Sequence, residues 1–322
     1  MQPIKVFSAE PYTIKIAHAN MPSTIRHRGV LEAVKIIEAK AGNRVKLQVY
    51  PSAQLGNNRE MLEGTQMGTI EINVTPSAFF GGFYPPITIF DLPFLLDNND
   101  ELVKVIKSPL GEMLLKDLDK IKLKGMALWP CGFKFLTNSK RVIKKPEDVK
   151  GLKFRVMEAP ILIEQFKALG ASAIPIAFPE TYNALQTGVV DGQENPAQAI
   201  LAMKFYEVQK YMTLSYHGTA VDVAIANKKW FDSLPKDLQN IISEAFNEVI
   251  PFVQKGLDDE EAEQVAIFKK YGNVITSLNK QEVEAFRKNT QDVSKKYIEI
   301  TGTDGAKFLR VCQDELAKVR KK

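Results

Sequence analysis

The 322-residue sequence has no apolar run near the roughly 18–20 residues that a membrane-spanning helix needs. One of its longest apolar stretches, 87-ITIFDLPFLL-96, is interrupted by Asp91 and Pro93, and a soluble chain is expected. It has only two cysteines, Cys131 and Cys312, far apart, which gives no disulfide framework and reads as two buried free thiols. Its three histidines, His18, His27 and His217, are scattered, so no His-based metal site is expected, and His27 reads as a solvated helix residue. The net charge of +5 is spread among interspersed acids, with one basic block at Arg320–Lys322, which argues against nucleic acid. No GxSxG elbow, GxxxxGK[ST] phosphate loop, GxGxxG turn, HExxH, CxxC or EF-hand spacing occurs. These absences move weight from catalysis toward binding. The start, MQPIKVFSAEPYTIKIAHAN, lacks a basic segment followed by an apolar one, so it reads as cytosolic or as a mature form whose leader was removed.

What is present is 45% apolar and 25% charged, enough for a core, and at this length two lobes are expected. In 12-YTIKIAH-18 apolar and polar residues alternate, the period of a half-buried strand. A helix follows to about Lys40, with Ser23 as its N-cap and Gly42 as its stop, and then the alternating strand 44-RVKLQVY-50. Strand, helix and strand in this order imply a parallel crossover and an α/β sheet.

The pattern recurs as a helix near 57–67 before the strand 70-IEINVT-75, and a helix near 99–119 before a strand near 121–129. It resumes at 151-GLKFRVM-157, with helices opened by Pro160 and Pro179 and a short strand at Val189–Val190. From Pro235 to about Lys270 a helical apolar stripe runs through Pro251, which should kink it. A helix that long should lie across both lobes.

Three places look like a site. Arg155 sits inside an apolar strand, where a charge must be paired internally or kept for a ligand carboxylate. Lys134 lies between Phe133 and Phe135, just after Trp129, and is either a snorkelling lysine or a second cation. The loop 188-GVVDGQENP-196 offers Asn195, whose amide suits a carboxylate or hydroxyl, although Asp–Gly and Asn–Pro are also plain turn chemistry.

The stretches 149-VKGLKFRV-156 and 168-ALGASAIPIAFPETYNALQTGVVDGQENP-196, with 49-VYPSAQLG-56, 90-FDLPFLL-96 and 207-EVQKYM-212, resemble the solute-binding proteins of TRAP (tripartite ATP-independent periplasmic) transporters from about residue 12 to the C-terminus. The resemblance implies a two-lobed α/β periplasmic-binding-protein-like fold, with crossing strands and a long kinked helix spanning both lobes. Lobe I would hold residues 1–131 and about 221–260, and lobe II about 132–220 and 261–322. It implies a monomeric periplasmic receptor that catalyses nothing, needs no cofactor or metal, traps a small organic acid and hands it to TRAP membrane permease subunits. Arg155 would clamp a carboxylate, Asn195 would contact the ligand and Phe178 would line the pocket. Lys134, His18, Ser77, Trp129 and Asp222 complete the implied ligand-binding set. Lys134 and Pro76 stand where sialic-acid binders carry an Arg and an acid. With two cations for two carboxylates, this favours a C4-dicarboxylate. The alternatives are a sugar acid or a 2-keto or monocarboxylic acid in the same class of receptor, or a ligand-binding partner of a membrane sensor kinase.

Overall fold

The computed structural model describes residues 10–321, so residues 1–9 and the terminal Lys322 lie outside the described residues. Among the described residues ten strands form in chain order: β1 Tyr12–Ala17, β2 Val45–Tyr50, β3 Ile72–Pro76, β4 Leu123–Asn138, β5 Lys153–Val156, β6 Ser172–Pro175, β7 Gly192–Pro196, β8 Tyr211–Leu214, β9 Thr219–Asn227 and β10 Val274–Ser277. They order as β2-β1-β3-β9-β4-β7-β5-β6, with β8 also on β4 and β10 on β8. β1 pairs in parallel with β2 and β3, and β5 with β6 and β7, as strand–helix–strand order requires.

The two halves are joined by β4. Its first part, from Leu123 to Phe133, pairs antiparallel with β9. Its last part, from Lys134 to Asn138, pairs antiparallel with β7. The register shifts between Pro130 and Phe133, and Gly132 takes φ +91° there, a backbone angle that costs a residue with a Cβ. One strand thus serves both halves, giving the expected two-lobed α/β fold with crossing strands.

Several local expectations are corrected. The first helix, Ile25–Ala41, is capped by Thr24 rather than Ser23, and Gly42 ends it at φ 58°. The segment 99–119 holds two helices, Asn99–Ile106 and Pro109–Asp117, because Pro109 has no N–H to continue the ladder and instead opens the second. Val189–Val190 is not a strand, and β7 begins at Gly192, so the supposed loop is largely sheet. Gly192 is needed there because a Cβ would lie 2.3 Å from the Thr137 carbonyl oxygen. The long helix is two, Lys236–Glu248 and Ile250–Tyr271, meeting at Val249 with Pro251 in the first turn of the second. Val253 and Leu257 of that second helix join the core with Ile14, Trp129 and Phe246, whereas Phe268 joins the core around Phe135 and Phe205. The helix therefore bridges the halves. The C-terminal helical segment Val293–Arg320, broken at Gly302 where φ is 65°, packs on both the Pro85–Asp91 turn and the helix Pro160–Ala168, and Tyr297 donates to the Pro86 carbonyl at 2.7 Å. No helix among the described residues is long and apolar enough to cross a membrane.

Candidate functional site

Strand alternation decides which side chains can meet. Register sets Arg155 of β5 opposite Gln193 of β7, so Arg155, Gln193 and Asn195 share one sheet face. Glu194, one residue out of phase, points to the other face, where Lys134 of β4 also points. The two cations expected to grip one ligand thus project from opposite faces.

On Arg155's face the guanidinium is buried, with 1% of the residue exposed. Its Nε donates to the Ile176 carbonyl at 2.9 Å, while Nη2 has no partner. Its Cζ lies 5.8 Å from the centre of the Phe178 ring. No carboxylate lies within ion-pair distance among the described residues. Burial pulls the guanidinium down to about 10, partly opposed by Glu194 and Glu158, so it stays charged at neutral pH. Asn195 donates to Gln193 at 2.5 Å, and Gln193 donates to Thr137 at 2.8 Å. Phe178 packs against Phe205 on one side and against the group of Ala17, Ala19 and Met61 on the other, so it touches both halves.

Lys134, expected as a free cation, is ion-paired. It lies 2.9 Å from Glu194 and 3.4 Å from Asp91, and all three are buried. Burial opposes its charge, but the two carboxylates outweigh it and raise its pKa. Glu194 also meets His217 at 2.7 Å and accepts from Gln165 at 3.3 Å. Burial opposes ionisation of Glu194 too, yet Lys134 and the His217 hydrogen bond hold it at about 2. Asp91 goes the other way, to about 6, because burial and the Glu194 charge exceed what Lys134 offsets. Ser77 belongs to this cluster, with its Oγ 3.2 Å from Asp91.

The remaining expected residues fall elsewhere. Trp129 is a core residue. It is fully buried, stacks on Phe246 and donates Nε1–H to the Phe246 carbonyl at 2.7 Å. Asp222 forms a buried, two-pronged ion pair with Arg26. His18 accepts the Asn20 N–H at 3.1 Å and meets His27 at 3.2 Å, which corrects the solvated reading of His27. Burial, with the nearby His27 and Arg26, lowers His18 to about 3 and keeps it neutral. Cys131 and Cys312 are both free and buried, as expected.

Sequence reasoning missed Arg26, Asn20 and Gln198. They line a narrow crevice with a free volume of about 10 Å³ together with Thr24, Phe178 and Met203, drawn from both halves. The available signal for Arg26 was a cation in the first turn of a helix whose buried face is otherwise mostly apolar. A wider groove lined by Met67, Lys120, Asn227 and Trp230 brings none of these candidates together.

What the face around Arg155 can do is hold an anion. A buried charged donor with an unmade hydrogen bond, an aromatic wall and adjacent amides suit a carboxylate. No group of three or more His, Cys, Asp or Glu side chains among the described residues has metal-site geometry.

Residues 16–300 match the family described as bacterial extracellular solute-binding protein, family 7. The C4-dicarboxylate-binding periplasmic protein DctP of Rhodobacter capsulatus is 35% identical over 80% of this chain and 77% of its own length. A TRAP periplasmic solute-binding protein of Desulfovibrio salexigens, solved with bound orotic acid, superposes with TM-score 0.93 at 39% identity, covering 96% of this chain and 99% of that one. A counterpart from Sulfurospirillum deleyianum with bound succinate superposes with TM-score 0.88 at 32% identity, covering 95% and 99%.

Proposed function

The chain belongs to the family-7 bacterial extracellular solute-binding proteins and is a binding receptor, not an enzyme, and from that premise we propose that it captures a small organic acid between its lobes with Arg155 as the carboxylate clamp. The observation that carries this reading is the buried, charged Arg155 whose Nη2 has no partner. A ligand carboxylate supplies that partner as a charge-assisted hydrogen bond. Asn195, on the same face, contacts the ligand, and Phe178 walls the pocket.

The receptor acts as a monomer in the periplasm, the compartment named for the Rhodobacter relative, and delivers its ligand to TRAP permease subunits in the membrane. Lobe I holds β1, β2, β3 and the first part of β4 with β9, and lobe II holds β5, β6, β7, β8 and β10. Closure is a hinge motion, with Val249 and the Pro251 break in the long helix absorbing part of the change. His18 and Asp222 shape the lobe I wall, Asp222 by holding Arg26 in place.

A C4-dicarboxylate ligand is a second reading, favoured by the Rhodobacter relative and the succinate-bound structure. The ion-paired Lys134 removes the second cation on which that reading stood in the sequence. Calorimetry of ligand-stripped protein with Arg155→Lys tests the clamp. The fork is worth two charge-assisted bonds and a point charge keeps one, so affinity should fall by about 10- to 100-fold. Affinity retained within about threefold removes Arg155 from the site.

A further inference from the structure

Three segments that pass between the halves meet at one place. β4 bends there at Gly132, with φ +91°. The linker of residues 215–218, between β8 on one half and β9 on the other, runs beside it, and the Thr219 hydroxyl donates to the Gly132 carbonyl at 3.0 Å. The helix Ile250–Tyr271 packs against β4, and its Gly256, Leu257 and Glu261 form a narrow crevice with Gly132.

Tyr216, in the middle of the linker, holds φ at +47°, a left-handed angle that a residue with a Cβ adopts only at a conformational cost. Backbone bonds fix the residues that follow it. The His217 carbonyl accepts the Phe94 N–H, and the Gly218 carbonyl accepts the Lys134 N–H, each at 2.8 Å. The Tyr216 side chain offsets the cost. Its ring meets Phe135 edge-on, 5.2 Å between centres, and Phe133 at 6.4 Å. Its hydroxyl donates to Glu261 Oε1 at 2.9 Å, a charge-assisted bond from the linker to the helix.

Turning one half against the other about Gly132 shifts the helix against the linker. The Tyr216–Glu261 bond tolerates little of that, because a hydrogen bond weakens steeply with length and angle. It therefore favours one arrangement of the halves, and in that arrangement they touch. Arg59, beside β3, lies 3.6 Å from Glu158, which follows β5 on the other half. A Cβ added to Gly81 would come within 2.8 Å of Pro160 Cδ, so the backbones meet there too. We propose that Tyr216 is a positioning residue of the hinge, whose bond to Glu261 favours the arrangement with the lobes in contact and so sets how readily the receptor closes, without touching the ligand.

Spin labels on Lys46→Cys and Lys167→Cys, exposed sites on the two halves, report the lobe-to-lobe distance in the full chain, with Cys131 and Cys312 buried. The distance is measured without added ligand and again with succinate, orotate and galactonate together in millimolar excess. Tyr216→Phe keeps the ring and removes the hydroxyl, and Glu261→Ala removes the acceptor. Each should lower the ratio of touching to separated lobes by about three- to tenfold, the worth of one partly exposed charge-assisted bond. The double variant should lower it no further than either single one, because the same bond is lost once. A ratio unchanged or raised in both single variants overturns the inference. So do additive effects in the double variant, which would mean that the two residues act separately. A parent protein that shows no touching arrangement under either condition overturns it as well.

Discussion

Replacing Arg155 by Met should make the ligand-free protein more stable while it destroys binding. The guanidinium is buried, has no carboxylate partner and leaves Nη2 unpaired. An unpaired buried ion costs several kcal/mol even after relaxation. Met is of similar length, and its flexible thioether fills irregular gaps. The change also removes the Nε–H bond to the Ile176 carbonyl, a loss of about 1 kcal/mol, with up to about 3 kcal/mol if that oxygen stays unsatisfied. The balance is a net gain of about 1–2 kcal/mol. Unfolding entropy near 2.1 cal/mol/K per residue makes this about 1.5–3 °C in the midpoint for a chain of this length. Binding loses two charge-assisted bonds of about 1.5–3 kcal/mol each, at least about 100-fold in affinity. Scanning calorimetry of the stripped protein and titration with a bound acid read the two effects separately. A midpoint lowered by several degrees, with binding intact, would show Arg155 to be a structural residue and refute the reasoning.

Two further outcomes follow from the same geometry. Trp129→Phe should cost about 1–2 kcal/mol in urea unfolding, since it loses the bond to the Phe246 carbonyl and part of a stacked pair, yet it should leave ligand affinity within threefold. A tenfold loss of affinity would return Trp129 to the pocket. Asp91 has a folded-state pKa of about 6 against 3.8 for the free side chain, so the native state holds the extra proton between those values. Its contribution to stability is therefore most favourable below pH 3.8 and declines as pH rises through 6. Asp91→Asn should be more stable than the parent by on the order of 1–3 kcal/mol at pH 7.5, an advantage that vanishes near pH 4. A variant less stable at pH 7.5 would mean that Lys134 needs both carboxylates.

The fold was legible where local pattern and tertiary structure agree. Alternation in 12-YTIKIAH-18 and 44-RVKLQVY-50 marked β1 and β2, and Gly42 marked the helix end between them. β4 was read only to 129, because its second part carries the polar and irregular run 131-CGFKFLTN-138, whose burial comes from β7, β8 and β9 rather than from its own period. Arg155 was legible as a charge inside an apolar strand. The partners of Lys134 were not, since Asp91 and Glu194 lie 43 and 60 residues away, and only the register of β7 and the packing of the Pro85–Asp91 turn bring them to it. The alternation that sets Arg155 and Lys134 on opposite faces passes through β7, whose start was misplaced by two residues of apolar Val189–Val190. Arg26 and Asp222, 196 residues apart, likewise meet only through the packed sheet.

The most direct test of the central claim is the thermal midpoint of refolded, ligand-stripped protein against a panel of small acids and their methyl esters. The panel would include succinate, fumarate, malate, pyruvate, 2-oxoglutarate, glucuronate and sialate. A ligand at 100 times its dissociation constant adds about 2.7 kcal/mol, about 4 °C for a chain of this length. The account predicts such a rise for at least one acid, and none for an ester that masks its carboxylate. No rise with any acid, or an equal rise with acid and ester, would contradict it.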